Sequence, residues 1–80
     1  LELTATNLTE TITGILDRSV GETIAARIRY RQPLAPCQIR LLDDPRTLVV
    51  TFNTPQRAIA SGQFIAFYIG EELIGSGVIN

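Results

Sequence analysis

The sequence predicts an all-β fold, a small antiparallel barrel of six or so strands in preference to a sandwich. Three observations lead there. Apolar and polar residues alternate with a period of two along most of the 80 residues, as half-buried strands require. Clusters of Gly, Pro and Asp break that alternation about every 8–12 residues, where turns belong. No stretch carries the 3.6-residue period of an amphipathic helix. A closed barrel is favoured because it removes the exposed edges that so many short strands would otherwise leave.

The elements follow in order. Residues 1–6 (LELTAT) set Leu1, Leu3 and Ala5 against polar neighbours, and Thr is a good strand former. Residues 11–16 (TITGIL) read as a weaker strand with a bulge or bend at Gly14. After a turn at 18–22, residues 23–31 place Ile24, Ala26, Ile28 and Tyr30 on one face. Ala25, Arg27, Arg29 and Arg31 take the other. Pro33 and Pro36 end that strand, since proline cannot donate to a ladder. Residues 37–42 resume with Cys37, Ile39 and Leu41 on one side. Residues 43–46 (DDPR) turn, and 47–52 align Leu48, Val50 and Phe52. Residues 55–63 form a loop with room for one helical turn. Residues 64–70 (FIAFYIG) are apolar on both faces and read as a buried central strand. A turn at 70–72 leads to the last strand, 73–79, whose GSG (75–77) fits a bulged or tightly packed strand.

Eighty residues make one domain, and a chain this short buries only about 60–65% of its unfolded surface. Nearly all of the 45% hydrophobic residues are therefore needed for the core. The net charge is −1, and all seven basic residues are Arg. Contact with a polyanion must then come from a local patch, not a global field. The absence of Lys fits a composition bias, or the forked phosphate contacts that suit Arg. No segment reaches the 18 or so apolar residues of a membrane span, and no signal peptide is present. The chain opens at Leu1 within a strand pattern, so it reads as a piece of a longer protein.

Catalysis is hard to build from these residues. There is no His, the commonest acid–base group, so Ser-His-Asp and Cys-His nucleophiles are excluded. A single cysteine, Cys37, excludes an internal disulfide and a multi-cysteine metal cluster, and it fits a reducing compartment. It falls on the core side of its strand, where a thiol behaves as a small hydrophobe. The pairs Asp43–Asp44 and Glu71–Glu72 sit at turns, which explains them.

What remains is RIRYRQ (27–32). Alternate residues of a strand are about 6.6 Å apart, a pitch at which Arg27, Arg29 and Arg31 could follow a phosphodiester chain. Tyr30 could stack on a base. The alternative is a solvated face whose arginines form weak surface ion pairs.

The ordered set ARIRYRQPLAPCQIR, then DD, then VTFNTPQRAIASGQFIAFYIGEELIGSGVI resembles the C-terminal β-barrel of the tRNA-specific 2-thiouridylases. These are also known as tRNA (5-methylaminomethyl-2-thiouridylate)-methyltransferases. The likeness covers about residues 24–80, with Ser61 and Ser76 where the family has Pro and Gly. It implies a barrel like domain 2 of translation elongation factors, and a cytoplasmic parent enzyme that exchanges the 2-oxygen of the wobble uridine of tRNA for sulfur. In that parent, an N-terminal PP-loop domain uses ATP, cysteines outside these 80 residues carry a persulfide from a sulfur-relay donor, and a central domain intervenes. Cys37 matches the family's structural Pro-Cys position, and no cofactor is expected in the barrel itself. The residues that fall on the family's Arg-Tyr-Arg-Gln segment are Arg29, Tyr30, Arg31 and Gln32. With Arg27 and Arg57 they are the candidates for holding the anticodon arm. A purely structural packing role for the barrel stands beside this one, as does an elongation-factor-like barrel from another translation-related protein.

Overall fold

The computed structural model describes residues 2–6, 8, 14, 15, 17, 20–28, 32–41, 47–56 and 59–80. Among them run six strands: β1 (Glu2–Thr6), β2 (Ile24–Arg27), β3 (Ala35–Leu41), β4 (Leu48–Phe52), β5 (Phe64–Ile69) and β6 (Glu72–Ile79). Every neighbouring pair is antiparallel, and the order β1-β4-β3-β2-β5-β6 closes on itself. The predicted all-β barrel is what forms.

Strand alternation fills its interior. Ile24, Ala26, Cys37, Leu48, Val50, Phe52, Ile65, Phe67 and Ile79 all point inward and are buried. Ala26 stands directly opposite Phe67, the small-beside-large filling that a narrow barrel needs. Burying each large side chain contributes about 1.5–3 kcal/mol. On the outside, Val49 of β4 is also buried. Its cross-strand neighbours are Thr4 and Arg40. The Arg40 guanidinium reaches Glu2 at 3.5 Å, from β3 to β1 across β4, so its alkyl stem shields the apolar strand between them.

Four expectations change. Gly14 and Ile15 are helical, not part of a strand over 11–16, and the remaining residues of that stretch lie outside the described set. A ring already closed by six strands has no edge to pair with a seventh. Ile15 instead joins the core cluster fully buried, which a non-strand residue reaches only through an open barrel end. Second, β2 ends at Arg27, where only β5 still pairs with it; Ile28 is no longer strand, and residues 29–31 of the predicted 23–31 strand lie outside the described residues. Third, Pro36 lies inside β3, not between strands. Its carbonyl accepts from the Asn53 N–H at 3.2 Å, just past the end of β4, so the missing N–H costs only one bond at the ladder's end. Fourth, β5 is buried on one face only. Ile65 and Phe67 point in, whereas Phe64 is 72% exposed, since a barrel strand has one wet face. The turn predicted at 43–46 lies outside the described residues.

Two glycines are required by geometry. Gly70 has φ of 59° in the two-residue turn joining β5 to β6, where primed hairpin turns need a positive φ. Gly77 is extended, but a Cβ there would lie 2.6 Å from Leu8 Cδ2 and 2.9 Å from the Thr6 carbonyl oxygen. The register of β6 also shifts between Phe67 and Tyr68, with Ile74 as the extra residue. A bulge and a close approach together account for GSG.

Replacing Gly77 by Ala is expected to lower stability by about 1–3 kcal/mol through overpacking, read as a fall in the urea midpoint at constant slope. Burial pushes the Cys37 thiol up to about 11. A thiol whose folded pKa is raised stabilises the fold below its unfolded value and loses that contribution as pH climbs. The stability advantage of the parent chain over Cys37→Ala should therefore shrink between about pH 9 and 11, as urea titrations at a series of pH values will show.

Candidate nucleic-acid interface

Antiparallel closure sends the end of β2, the start of β3, the end of β4 and the start of β5 to one end of the barrel. The β2–β3 connection (28–34) and the β4–β5 connection (53–63) therefore leave side by side. RIRYRQ starts on β2 and runs into the first of them, and Arg57 belongs by sequence to the second.

Arg27, the last residue of β2, points outward. It faces Ala66 of β5, and Tyr68 is its diagonal neighbour on the same face. The Arg27 Nη2 donates to the Tyr68 hydroxyl at 2.8 Å, and its guanidinium carbon lies 4.8 Å from the centre of the Tyr68 ring. The cation is thus held against an aromatic ring, an arrangement worth about 0.5–1 kcal/mol where it is exposed.

Gln32 ties the two connections together. Its Oε1 accepts from the Ile28 N–H at 3.2 Å, and its Nε2 donates to Gln56 Oε1 at 2.7 Å. Gln56 Nε2 in turn donates to the Thr54 carbonyl at 3.1 Å. The Gln32 amide thereby fixes the backbone at the point where β2 stops. Arg29, Tyr30, Arg31 and Arg57 lie outside the described residues.

Other features are chemically plain. A groove of about 360 Å³ beside β2 and β3 is lined by Glu22, Thr23, Pro36, Cys37, Gln38 and Asn53. Among the described residues that line it there is a single carboxylate, Glu22, too few for paired acid–base work. Among the described residues no three metal-capable side chains cluster, and no helix is long and apolar enough to cross a membrane. The residues that sequence inspection missed are Tyr68, Gln56 and Phe64. Tyr68 and Gln56 become visible only once register brings distant strands and loops together, and Phe64 once one face of β5 proves wet.

The comparisons agree with this architecture. Residues 8–79 match the family model described as aminomethyltransferase beta-barrel domain. Several similar proteins are named tRNA-specific 2-thiouridylase MnmA. The one from Tolumonas auensis is 49% identical over 53 residues, 66% of this chain and 14% of its own length. That from Lactiplantibacillus plantarum is 40% identical over 68 residues, 82% of this chain and 18% of its own. That from Xanthomonas campestris pv. campestris is 50% identical over 54 residues, 68% of this chain. The chain thus spans less than a fifth of the length of these relatives.

If the glutamine bridge braces this end, Gln32→Leu and Gln56→Leu should each cost about 0.5–1.5 kcal/mol. The double variant should lose less than the sum, because the two share one bond. Urea denaturation of the four proteins tests it, and strict additivity would remove the bridge from the account.

Proposed function

We propose, from the premise that this chain belongs to the aminomethyltransferase beta-barrel domain family, that it is an accessory tRNA-holding barrel of a tRNA uridine 2-sulfurtransferase. The names of its relatives support the substrate, and their greater length supports a parent with further domains. In that parent, a cytoplasmic enzyme, ATP would be used in an N-terminal PP-loop domain to activate the uridine 2-carbonyl. Sulfur would arrive as a persulfide from a relay donor. The barrel itself would grip the anticodon arm through RIRYRQ and Arg57.

One observation carries this reading. Arg27 stands on the outer face of β2 at the barrel end from which the arginine-bearing connection departs. In the sequence Arg29 and Arg31 fall between Ile28 and Gln32, which a side-chain bond joins. Arginine is suited to the role because its fork binds phosphate bidentately. Gln32 acts in this scheme as a positioning residue, its amide committed to Ile28 and Gln56.

Structural packing against a neighbouring domain predicts a different phenotype. The RNA reading predicts that tRNA affinity falls as salt rises, and that Arg29→Ala with Arg31→Ala makes the dependence shallower by about 0.7–0.9 per lost phosphate contact. A salt titration of tRNA against the chain and its double variant measures both slopes. Identical slopes and affinities would assign the arginines to the fold or to a domain contact instead.

A further inference from the structure

The barrel treats its two outer walls differently. On β1, β4 and β3 the outward positions are mostly polar, among them Thr4, Thr51 and Gln38, and the Arg40–Glu2 bridge shields the apolar Val49 between them. On β5 and β6 the outward residues pair as Phe64 with Val78, Ala66 with Ser76, and Tyr68 with Leu73. None of these six is charged. Among the described residues, the large hydrophobics exposed within strands are Phe64 at 72% and Leu73 at 56%, and both stand on this wall. Phe64 opens β5 and Leu73 lies at the start of β6, so the apolar surface runs the length of the hairpin. Apolar surface left in water forgoes about 25 cal/mol per Å², and a continuous patch of it marks a contact site.

Charge and size select the occupant. A phosphodiester chain laid along the hairpin would meet no cation among the six side chains. Arg27 of β2 borders the wall, and its guanidinium already engages the Tyr68 hydroxyl and ring. A free protein partner or a second copy needs about 800 Å² a side for a stable complex, contributed by some 20–30 residues. Two domains of one polypeptide need less, about 600 Å² in total at the small end, or roughly 300 Å² a side. Six side chains on a sheet can supply that, because a tether holds the partner at an effective concentration of about millimolar. Chain of the necessary length is at hand. The match spans less than a fifth of the relatives, so more than four-fifths of their length lies outside it.

We propose that the outer wall of the β5–β6 hairpin docks this barrel onto another domain of its own parent polypeptide, against an apolar and uncharged surface, with Phe64 and Leu73 as anchors. The docking face rests on the reading of the chain as one module of a longer enzyme. Its task is separate from that of the arginine connection, which leaves from the end of the barrel and not from this wall.

Hydroxyl-radical footprinting of the full-length parent, without RNA, reads the wall directly. The buried Phe52 and Phe67 have the same intrinsic reactivity as Phe64 and serve as internal references. Docking predicts that Phe64 of the full-length parent is oxidised as slowly as they are, at every protein concentration. In the 80-residue chain alone it should be oxidised several-fold faster than either. Oxidation of Phe64 several-fold faster than the references in the full-length parent overturns the docking face. Protection that fades on dilution assigns the ring to a second copy and equally overturns it. In a second arm, Phe64→Ser with Leu73→Ser should speed proteolytic release of the barrel from the full-length parent several-fold, and an unchanged rate overturns the proposal. Both side chains are exposed, so the same pair in the 80-residue chain should leave its urea midpoint near that of the unsubstituted chain. No RNA enters these measurements, so the tRNA salt titration can fail while the docking face stands, and the reverse. A reading frame that encodes no more than this chain would overturn both.

Discussion

Everything in this structure depends on closing the ring between β1 and β6. Among the described residues that ladder is the shortest of the six, with Ala5 opposite Ile79 and Thr6 opposite Val78. Backbone pairing alone is a thin seam, and two further devices hold it. The absent side chain at Gly77 lets the Thr6 carbonyl and Leu8 approach β6 closely. Asn80 then clamps the far side: its N–H donates to the Thr4 carbonyl at 3.1 Å, its Nδ2 donates to Thr4 Oγ1 at 3.2 Å, and its Oδ1 accepts from Thr6 Oγ1 at 2.8 Å. Without closure, β1 and β6 would be two apolar edges, the arrangement that invites aggregation.

Closure also decides where function can sit. In an alternating antiparallel ring every second connection emerges at the same end, so residues distant in sequence become neighbours without any contact of their own. The β2–β3 and β4–β5 connections meet in this way, and the Gln32–Gln56 bond joins them. The same rule sends the β5–β6 turn, which carries Glu71, to the opposite end by strand direction.

Much of this was legible in the sequence because a period of two is a local signal. Leu48, Val50 and Phe52 announced their shared face, as did Ile24 with Ala26, and Gly70 announced its turn. What was not legible depends on partners. TITGIL has the branched residues of a strand, yet whether a strand forms there depends on whether a ladder edge is vacant, and closure leaves none. Pro36 looked like a breaker because the position of the end of β4 relative to it cannot be read from β3. FIAFYIG looked buried on both sides because an apolar run does not reveal which face is wet. The Arg27–Tyr68 pair joins residues 41 apart, and no spacing rule along one strand could find it.

The weak overall charge constrains how a barrel of this kind can serve a nucleic acid. Long-range attraction is small, so binding must come from contacts made at close range by a few fixed groups. Groups that are fixed in advance lose less entropy on binding than flexible ones. The visible ones here are fixed in that way: Arg27 by the Tyr68 ring and hydroxyl, and the start of the arginine connection by the Gln32 amide. The chain also spans less than a fifth of the length of the relatives it matches, so on the proposed role it would act as one tethered module among others. Tethered modules of that kind act at high effective concentration and need little affinity of their own. What such a module must supply is orientation. A small closed barrel with a braced end supplies it better than a larger, more basic and more flexible surface could, and this makes near-neutrality compatible with the role.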